Sequence, residues 1–197
     1  ALARRGLEML WVADPIDAFF LQIQGSGRAR LPDGTIVRVT YDGQNGHPYV
    51  PIGRVLVNRG EMTIDEVSMQ TIRTWLKSHP REAAAVMDQN PSYVFFREVR
   101  GTTAEQGPPG AMQVPLTPGR SVAVDRSLIP LGLPVFLDTH DALQPQQIWR
   151  RLTMAQDVGG AIRGATRADI FFGWGPEAEE RAGRMRQPGT LYVLQPR

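Results

Sequence analysis

Three aspartates stand at the ends of apolar stretches, where a carboxyl group can carry out acid–base chemistry. Asp125 and Asp157 each end such a stretch, and Asp169 directly precedes another, which consists of Ile170, Phe171 and Phe172. Apolar neighbours are expected to dehydrate the Asp169 carboxyl and keep it protonated nearer neutral pH, as a general acid requires. The alternative is that these aspartates only cap turns or form ion pairs.

Small and polar residues in the first quarter of the chain have the character of a sugar-binding surface. They are Gln24, Gly25, Ser26 and Gly27, followed by Asn45, His47 and Tyr49. Amide and hydroxyl groups donate to and accept from sugar hydroxyls, and glycines let the backbone approach a ligand. Gly159 and Gly160, after Asp157, suit the same role. Two ordinary turns are the alternative for the first segments, and aromatic packing is the alternative to stacking of Tyr49 and Trp174 on sugars.

Composition excludes several other kinds of chemistry. The formal net charge is +2, and no dense basic block occurs among the 197 residues, so no nucleic acid partner is expected. Cysteine is absent, which excludes disulfides and thiolate sites. His47, His79 and His140 are far apart, so no metal site built on histidines is expected. No apolar run approaches the roughly 20 residues that a membrane span needs.

The elements that must position these residues are mostly short strands. Gly and Pro are frequent, which fits strands joined by turns. Strands are predicted at residues 18–23, 35–41, 93–97, 121–124, 135–138, 151–155 and 190–194.

Three helices are predicted between these strands. One begins at the capping box of Thr63 and Glu66 and ends before Pro80. A second runs over residues 81–88, and a short third follows Gly175 and Pro176. Residues 101–110 are rich in Gly, Pro, Thr and Gln and are interpreted as a linker, which divides the chain into domains 1–100 and 101–197.

The three aspartate segments together resemble the 3D domain, which is named for its three aspartates. In order they are DRSLIPLG (125–132), DVGGAIRG (157–164) and DIFFG (169–173). The first half of the chain resembles the insert domain of the membrane-bound lytic transglycosylase A (MltA) family. The segments that carry this second resemblance are 11–17, 19–27, 41–49, 52–54, 68–70 and 90–96.

The resemblance implies a fold. It is a mainly β protein, in which a 3D domain with a double-psi β-barrel is joined to a second β-rich domain with a few helices. The glycan lies in the groove between them. The chain begins in the middle of the family pattern, so we expect it to lack the N-terminal part of this fold.

The resemblance also implies an activity, namely lytic cleavage of the glycan strands of peptidoglycan. Asp169 is expected to act first as the acid and then as the base, with Asp157 holding the site and Asp125 in a supporting role. A two-carboxylate hydrolase and a non-catalytic glycan-binding module are the alternatives. Family membership further implies the periplasmic face of the outer membrane, attachment only through a lipid anchor outside this chain, and cell-wall enzyme complexes as partners.

Overall fold

The computed structural model describes residues 5–101, 103 and 105–195, and it shows a mainly β architecture with two separate sheets. The strands are β1 (Ser26–Arg30), β2 (Ile36–Gln44), β3 (Val94–Glu98), β4 (Ser121–Val124), β5 (Pro134–His140), β6 (Ile148–Asp157), β7 (Ala168–Ile170) and β8 (Thr190–Val193). The helices are α1 (Pro15–Gln24), α2 (Ile52–Asn58), α3 (Met69–Ser78), α4 (Pro80–Met87) and α5 (Pro176–Arg184).

The first half of the chain combines the antiparallel sheet β1-β2-β3 with helices α1 to α4. Its core comes from the helices, with Phe20, Leu56, Leu76 and Val86 among its buried members. The strand predicted at residues 18–23 is wrong, because these residues lie in α1. Asp14 caps the first turn through Ile16 N, at 2.8 Å, and Phe20 lies one helical turn beyond the buried Ile16.

The helix predicted from Thr63 begins later than expected. The Thr63–Glu66 capping box is present, but it closes only a 3-10 turn, Ile64–Glu66. The backbone is extended at Val67, and Ser68 then forms a second capping box with Thr71, which starts α3. The prediction was therefore wrong about the first turn of the helix and right about its end before Pro80.

The second half of the chain builds a five-stranded sheet in the order β7-β4-β6-β5-β8. The β4–β6 pair is parallel, and the other three pairs are antiparallel. One face is covered by buried side chains that include Val122, Val124, Val135 and Ala155. This sheet positions the aspartates, because β4, β6 and β7 lead to or contain them.

The remaining predictions of secondary structure agree with the structure to within a few residues. Strands predicted in six segments appear as β2, β3, β4, β5, β6 and β8, and the two later helices appear as α4 and α5. Among the described residues of 101–110 no helix or strand occurs, while positions 102 and 104 of the predicted linker lie outside them.

Contacts between the two halves come mainly from side chains. In the part of the chain that the structure describes, no strand of β1–β3 pairs with a strand of β4–β8. Instead the Gln70 amide donates to Glu179 O at 3.2 Å, and the Arg186 guanidinium donates to Asp65 O at 3.0 Å. Arg97 similarly donates to the Gln113 side chain at 2.9 Å. These bonds join the two halves of the chain.

Candidate active site

Asp157 and Asp169 lie on either side of the same residue of strand β4. In the β4–β6 pair Ala123 is aligned with Asp157, and in the β4–β7 pair it is aligned with Asp169. Directly paired residues lie on the same face of a sheet, so both aspartates share the face that Ala123 presents. With about 4.8 Å between neighbouring strands, their Cα atoms are roughly 10 Å apart.

The Asp169 side chain is exposed, contrary to the dehydration expected from its apolar neighbours. Strand β7 lies at the edge of the sheet, and its alternation turns Ala168 and Ile170 toward the core and Asp169 away from it. The Arg167 guanidinium donates to both carboxylate oxygens, at 2.9 and 3.0 Å, and about half of each side chain is accessible. The carboxylate is therefore reachable by a ligand and bound to Arg167 by a bidentate ion pair.

Asp157 has the environment that was expected of Asp169. It lies half-buried at the end of β6, and this burial raises the pKa of its carboxyl, although hydrogen bonds from the backbone N–H groups of Val158 and Ala111 oppose the shift. Ala111 N lies 3.0 Å from the carboxylate oxygen Oδ1. Gly110 lets this loop approach the strand, because a Cβ there would lie 2.6 Å from Gln156 O.

Asp125 is buried and serves the loops around the site. Its Oδ1 accepts hydrogen bonds from the Ser127 hydroxyl and backbone, at 2.6 and 3.1 Å, and its Oδ2 accepts from Gly164 N at 3.0 Å. The Ser127 hydroxyl, followed by the Gly164 and Ser127 N–H groups, lowers the pKa of the Asp125 carboxyl. Asp125 thus joins the end of β4 to the loop that carries Gly159 and Gly160.

A groove of about 310 Å³ opens between the two halves beside the end of β7. Phe171 and Trp174 line it from the second half, and Ser26, Arg28 and Arg38 are among the lining residues of the first half. Phe171 follows Asp169 by two residues, which is about 7 Å along an extended chain. An apolar ring, an exposed indole and polar groups of the opposite half make this groove suited to a sugar ring.

Two of the sequence-predicted sugar-binding residues line this groove, namely Ser26 and Gly27. Gly25 ends α1 in the left-handed conformation, with φ 71°, and so it turns the chain into β1. The exposed Gln24 amide contacts the Met69 sulfur at 3.6 Å and lies outside the lining.

Asn45, His47 and Tyr49 lie on the loop after β2 and also outside the lining of the groove. The Asn45 side chain joins two loops, since its oxygen accepts from the N–H groups of His47 and Tyr93 and its amide donates to Pro91 O. His47 is exposed, and partial burial raises the pKa of the Tyr49 phenol.

Gly159 and Gly160 follow Asp157 on the loop that Asp125 holds. Gly159 packs against Ile162, whereas Gly160 is exposed with open space around it. Across the described residues, no group of three His, Asp or Glu side chains has the arrangement of a metal site. The helices that the structure describes are all too short or too polar to cross a membrane.

Sequence reasoning missed three arginines at this site. Arg28 and Arg38 are directly opposite each other in the β1–β2 register, and Arg167 binds Asp169. The Arg167 signal was present in the sequence as an arginine two residues before an aspartate, which places both on one face of a strand. No local pattern reveals the Arg28–Arg38 pair, because the register of β1 against β2 determines it.

Comparisons with known proteins match each half of the chain to a described family. Residues 1–97 match the family described as the MltA specific insert domain, and residues 120–195 match the 3D domain. Membrane-bound lytic murein transglycosylase A of Escherichia coli strain K12 is 41% identical over 186 residues, which is 91% of this chain and 49% of the relative. The chain therefore spans about half the length of the curated relatives it matches.

Solved structures show the same relationship in three dimensions. A membrane-bound lytic murein transglycosylase from Agrobacterium tumefaciens superimposes with a TM-score of 0.91 at 44% identity, covering 100% of this chain and 54% of that one. The crystal structure of E. coli MltA with bound chitohexaose gives a TM-score of 0.81 at 39% identity, over 92% and 54% of the two chains. With an insert domain followed by a 3D domain, this chain belongs to the membrane-bound lytic murein transglycosylase A family.

Proposed function

We propose that this chain carries the catalytic site of a peptidoglycan lytic transglycosylase. The observation that supports this most directly is the exposed Asp169, with Asp157 on the same sheet face and an aromatic groove at the end of its strand. One relative has been solved with bound chitohexaose, which is a β-1,4-linked oligosaccharide. The substrate on this proposal is the bond between N-acetylmuramic acid and N-acetylglucosamine.

One carboxyl group can carry the whole reaction. Asp169 donates a proton to the glycosidic oxygen as the bond from C1 breaks, and the resulting Asp169 carboxylate then accepts the proton of the C6 hydroxyl as that oxygen attacks C1. The product is a 1,6-anhydromuramic ring, and the acid is regenerated. No water, metal or other cofactor takes part.

The Arg167–Asp169 pair adds a step to this scheme. In the free protein the Arg167 guanidinium donates to both carboxyl oxygens of Asp169, whereas the proposed proton transfer requires one of these oxygens to face the glycosidic oxygen. The glycan therefore has to open this pair when it binds. Because both side chains are about half exposed, opening it costs only about 0.2–1 kcal/mol.

Asp157 and Asp125 take supporting roles in the proposal. Burial raises the pKa of the Asp157 carboxyl, so this group holds a proton to a higher pH than an exposed aspartate and can donate a hydrogen bond to the bound sugar. Asp125 keeps the Gly159–Gly160 loop in place through Gly164. Gln24, Asn45, His47 and Tyr49 are proposed to contact more distant sugars.

Family membership supports proposals about the complete fold and the location of the protein. The five-stranded sheet is proposed to be part of a double-psi β-barrel that further segments complete. The proposed domains are residues 1–100 and 101–197. At their outer ends, residues 1–4, 196 and 197 lie outside the described residues. The relatives are named membrane-bound, and we propose a lipid anchor outside residues 1–197 and the periplasmic face of the outer membrane. Peptidoglycan strands and cell-wall enzyme complexes are the proposed partners.

Product analysis tests the proposal. The protein, at the length its gene encodes, is incubated with purified glycan strands, and the fragments are identified by mass spectrometry. We expect 1,6-anhydromuramic ends, which are one water lighter than reducing ends. Reducing ends alone would instead identify a hydrolase with Asp157 as the base and Asp169 as the acid, and binding without any cleavage would identify a glycan-binding module.

A further inference from the structure

The groove between the two halves contains an arrangement that a neutral sugar does not require. Arg28 of β1 and Arg38 of β2 are direct partners in the antiparallel register, and both line the groove. Like charges directly opposite each other on two strands are destabilising. Backbone carbonyl oxygens, among them Gln106 O, and the nearby Glu105 offset part of this charge inside the protein, and an anion bound in the groove would offset more of it.

The surroundings hold the two guanidinium groups in place. Arg38 donates to the backbone carbonyl oxygens of Thr103 at 2.7 Å and Gly107 at 2.9 Å. The Arg28 guanidinium carbon lies 3.6 Å from the centre of the Trp174 ring, so that it is stacked on the indole. The positive charge is therefore ordered in advance, which lowers the entropy cost of binding an anion.

Electrostatics in the groove favour a carboxylate. Burial lowers the pKa of the Arg28 guanidinium most, and the nearby charge of Arg38 lowers it further. The exposed Glu105 acts in the opposite direction. A planar guanidinium also matches the two oxygens of a carboxylate.

We propose that Arg28 and Arg38, with Trp174 beneath Arg28, form a subsite that binds a carboxylate carried by the glycan. This inference rests on the proposed function, because it assigns substrate selectivity to the same groove. In peptidoglycan the carboxylate has two sources: the lactyl group of N-acetylmuramic acid when the peptide is removed, and the peptide itself when it is present. Chitin has neither, so the subsite distinguishes muramyl glycans from chitooligosaccharides.

Three glycans separate these sources in a binding experiment. They are peptide-free muramyl strands, the same strands with the lactyl carboxyl methylated, and peptide-bearing strands, and chitohexaose serves as a neutral reference. Binding is measured by calorimetry in an Asp169→Asn background, so that no strand is cleaved. Arg28→Gln is the test variant, Arg28→Lys retains the charge, and Arg30→Gln removes the same charge from the exposed end of β1.

We expect Arg28→Gln to weaken binding of carboxylate-bearing strands roughly five- to tenfold, as loss of a partly exposed charge-assisted hydrogen bond implies. Binding of methylated strands and chitohexaose should not change, Arg28→Lys should restore part of the affinity, and Arg30→Gln should have no effect. An effect confined to peptide-free or to peptide-bearing strands identifies which carboxylate is bound.

Two results would overturn the subsite. One is an equal loss for charged and neutral glycans with a lower melting temperature, which would mean that Arg28 only joins the two halves of the fold. The other is no loss for any glycan. If the protein with Arg28 intact binds no glycan at all, the proposed function itself fails, and that result is distinct from failure of the subsite alone.

Discussion

Replacing Asp169 by asparagine should abolish turnover while leaving the fold almost unchanged. Asparagine keeps the shape of the side chain and the backbone pairing of β7 with β4, but it cannot transfer a proton. The structural loss is one ion pair with Arg167, in which both side chains are about half exposed. Such pairs contribute about 0.2–1 kcal/mol, so the free energy of unfolding should fall by no more than that.

The expected kinetic effect is much larger than this. Loss of general acid catalysis lowers rates by roughly 10²–10⁴-fold, and on this proposal the same group is also the base. At about 1.36 kcal/mol per tenfold, the barrier should rise by about 3–5 kcal/mol. Activity and stability therefore respond on different scales, and the two measurements together identify a catalytic role.

The assay is the release of anhydromuramic fragments from purified glycan strands, together with urea unfolding of the same samples. Asp138→Asn is the matched control, because Asp138 also forms a partly exposed ion pair, with Arg150 at 3.0 Å, but lies on β5 away from the groove. It should lose as little stability as Asp169→Asn and keep full turnover. If Asp169→Asn retained more than about a tenth of the activity, far above the range for a lost general acid, the assignment would be refuted and Asp157 would be tested next.

Three further predictions concern the supports of the site. Burial raises the folded pKa of Asp157 above its unfolded value, so its contribution to stability is present at low pH and lost as pH rises. The melting temperature of Asp157→Asn, relative to that of the original protein, should therefore rise as the pH increases from about 3 to about 7. A difference that stays constant over this range would contradict the prediction. Hydrogen bonds lower the folded pKa of Asp125, so its contribution is present above the unfolded pKa and lost as pH falls. Asp125→Asn should accordingly lose melting temperature at neutral pH and little at acidic pH, and an equal loss at both would argue against it. Gly110→Ala should lower the free energy of unfolding in urea by about 1–3 kcal/mol, because its Cβ would lie 2.6 Å from Gln156 O; an unchanged midpoint would show that the loop moves freely.

Residues 18–23 were predicted as a strand but form part of α1, because the signals at the ends of a helix outweigh the composition of the residues between them. The apolar run of Phe19, Phe20 and Leu21 fits a strand by composition. The helix signals stood outside this run, with Asp14 and Pro15 before it and Gly25 after it. Those end signals were available in the sequence and outweigh the propensity of the residues between them.

The sequence by itself determined most strands, two of the helices and the identity of the three aspartates. These depend on interactions between near neighbours, such as alternation, caps and turns, and they are readable wherever the chain carries them. The motif order was also sufficient to identify the family, which the comparisons confirm.

The tertiary structure alone decided the environment of each carboxyl group. Ile170, Phe171 and Phe172 suggested a dehydrated Asp169, but exposure depends on the position of a strand in its sheet. Because β7 lies at the edge, Asp169 is accessible and bound to Arg167, whereas Asp157 is covered by the loop at Ala111. The pairing of Arg28 with Arg38 likewise follows from strand register. Burial and register bring together residues distant in sequence, and no local pattern along the chain records them.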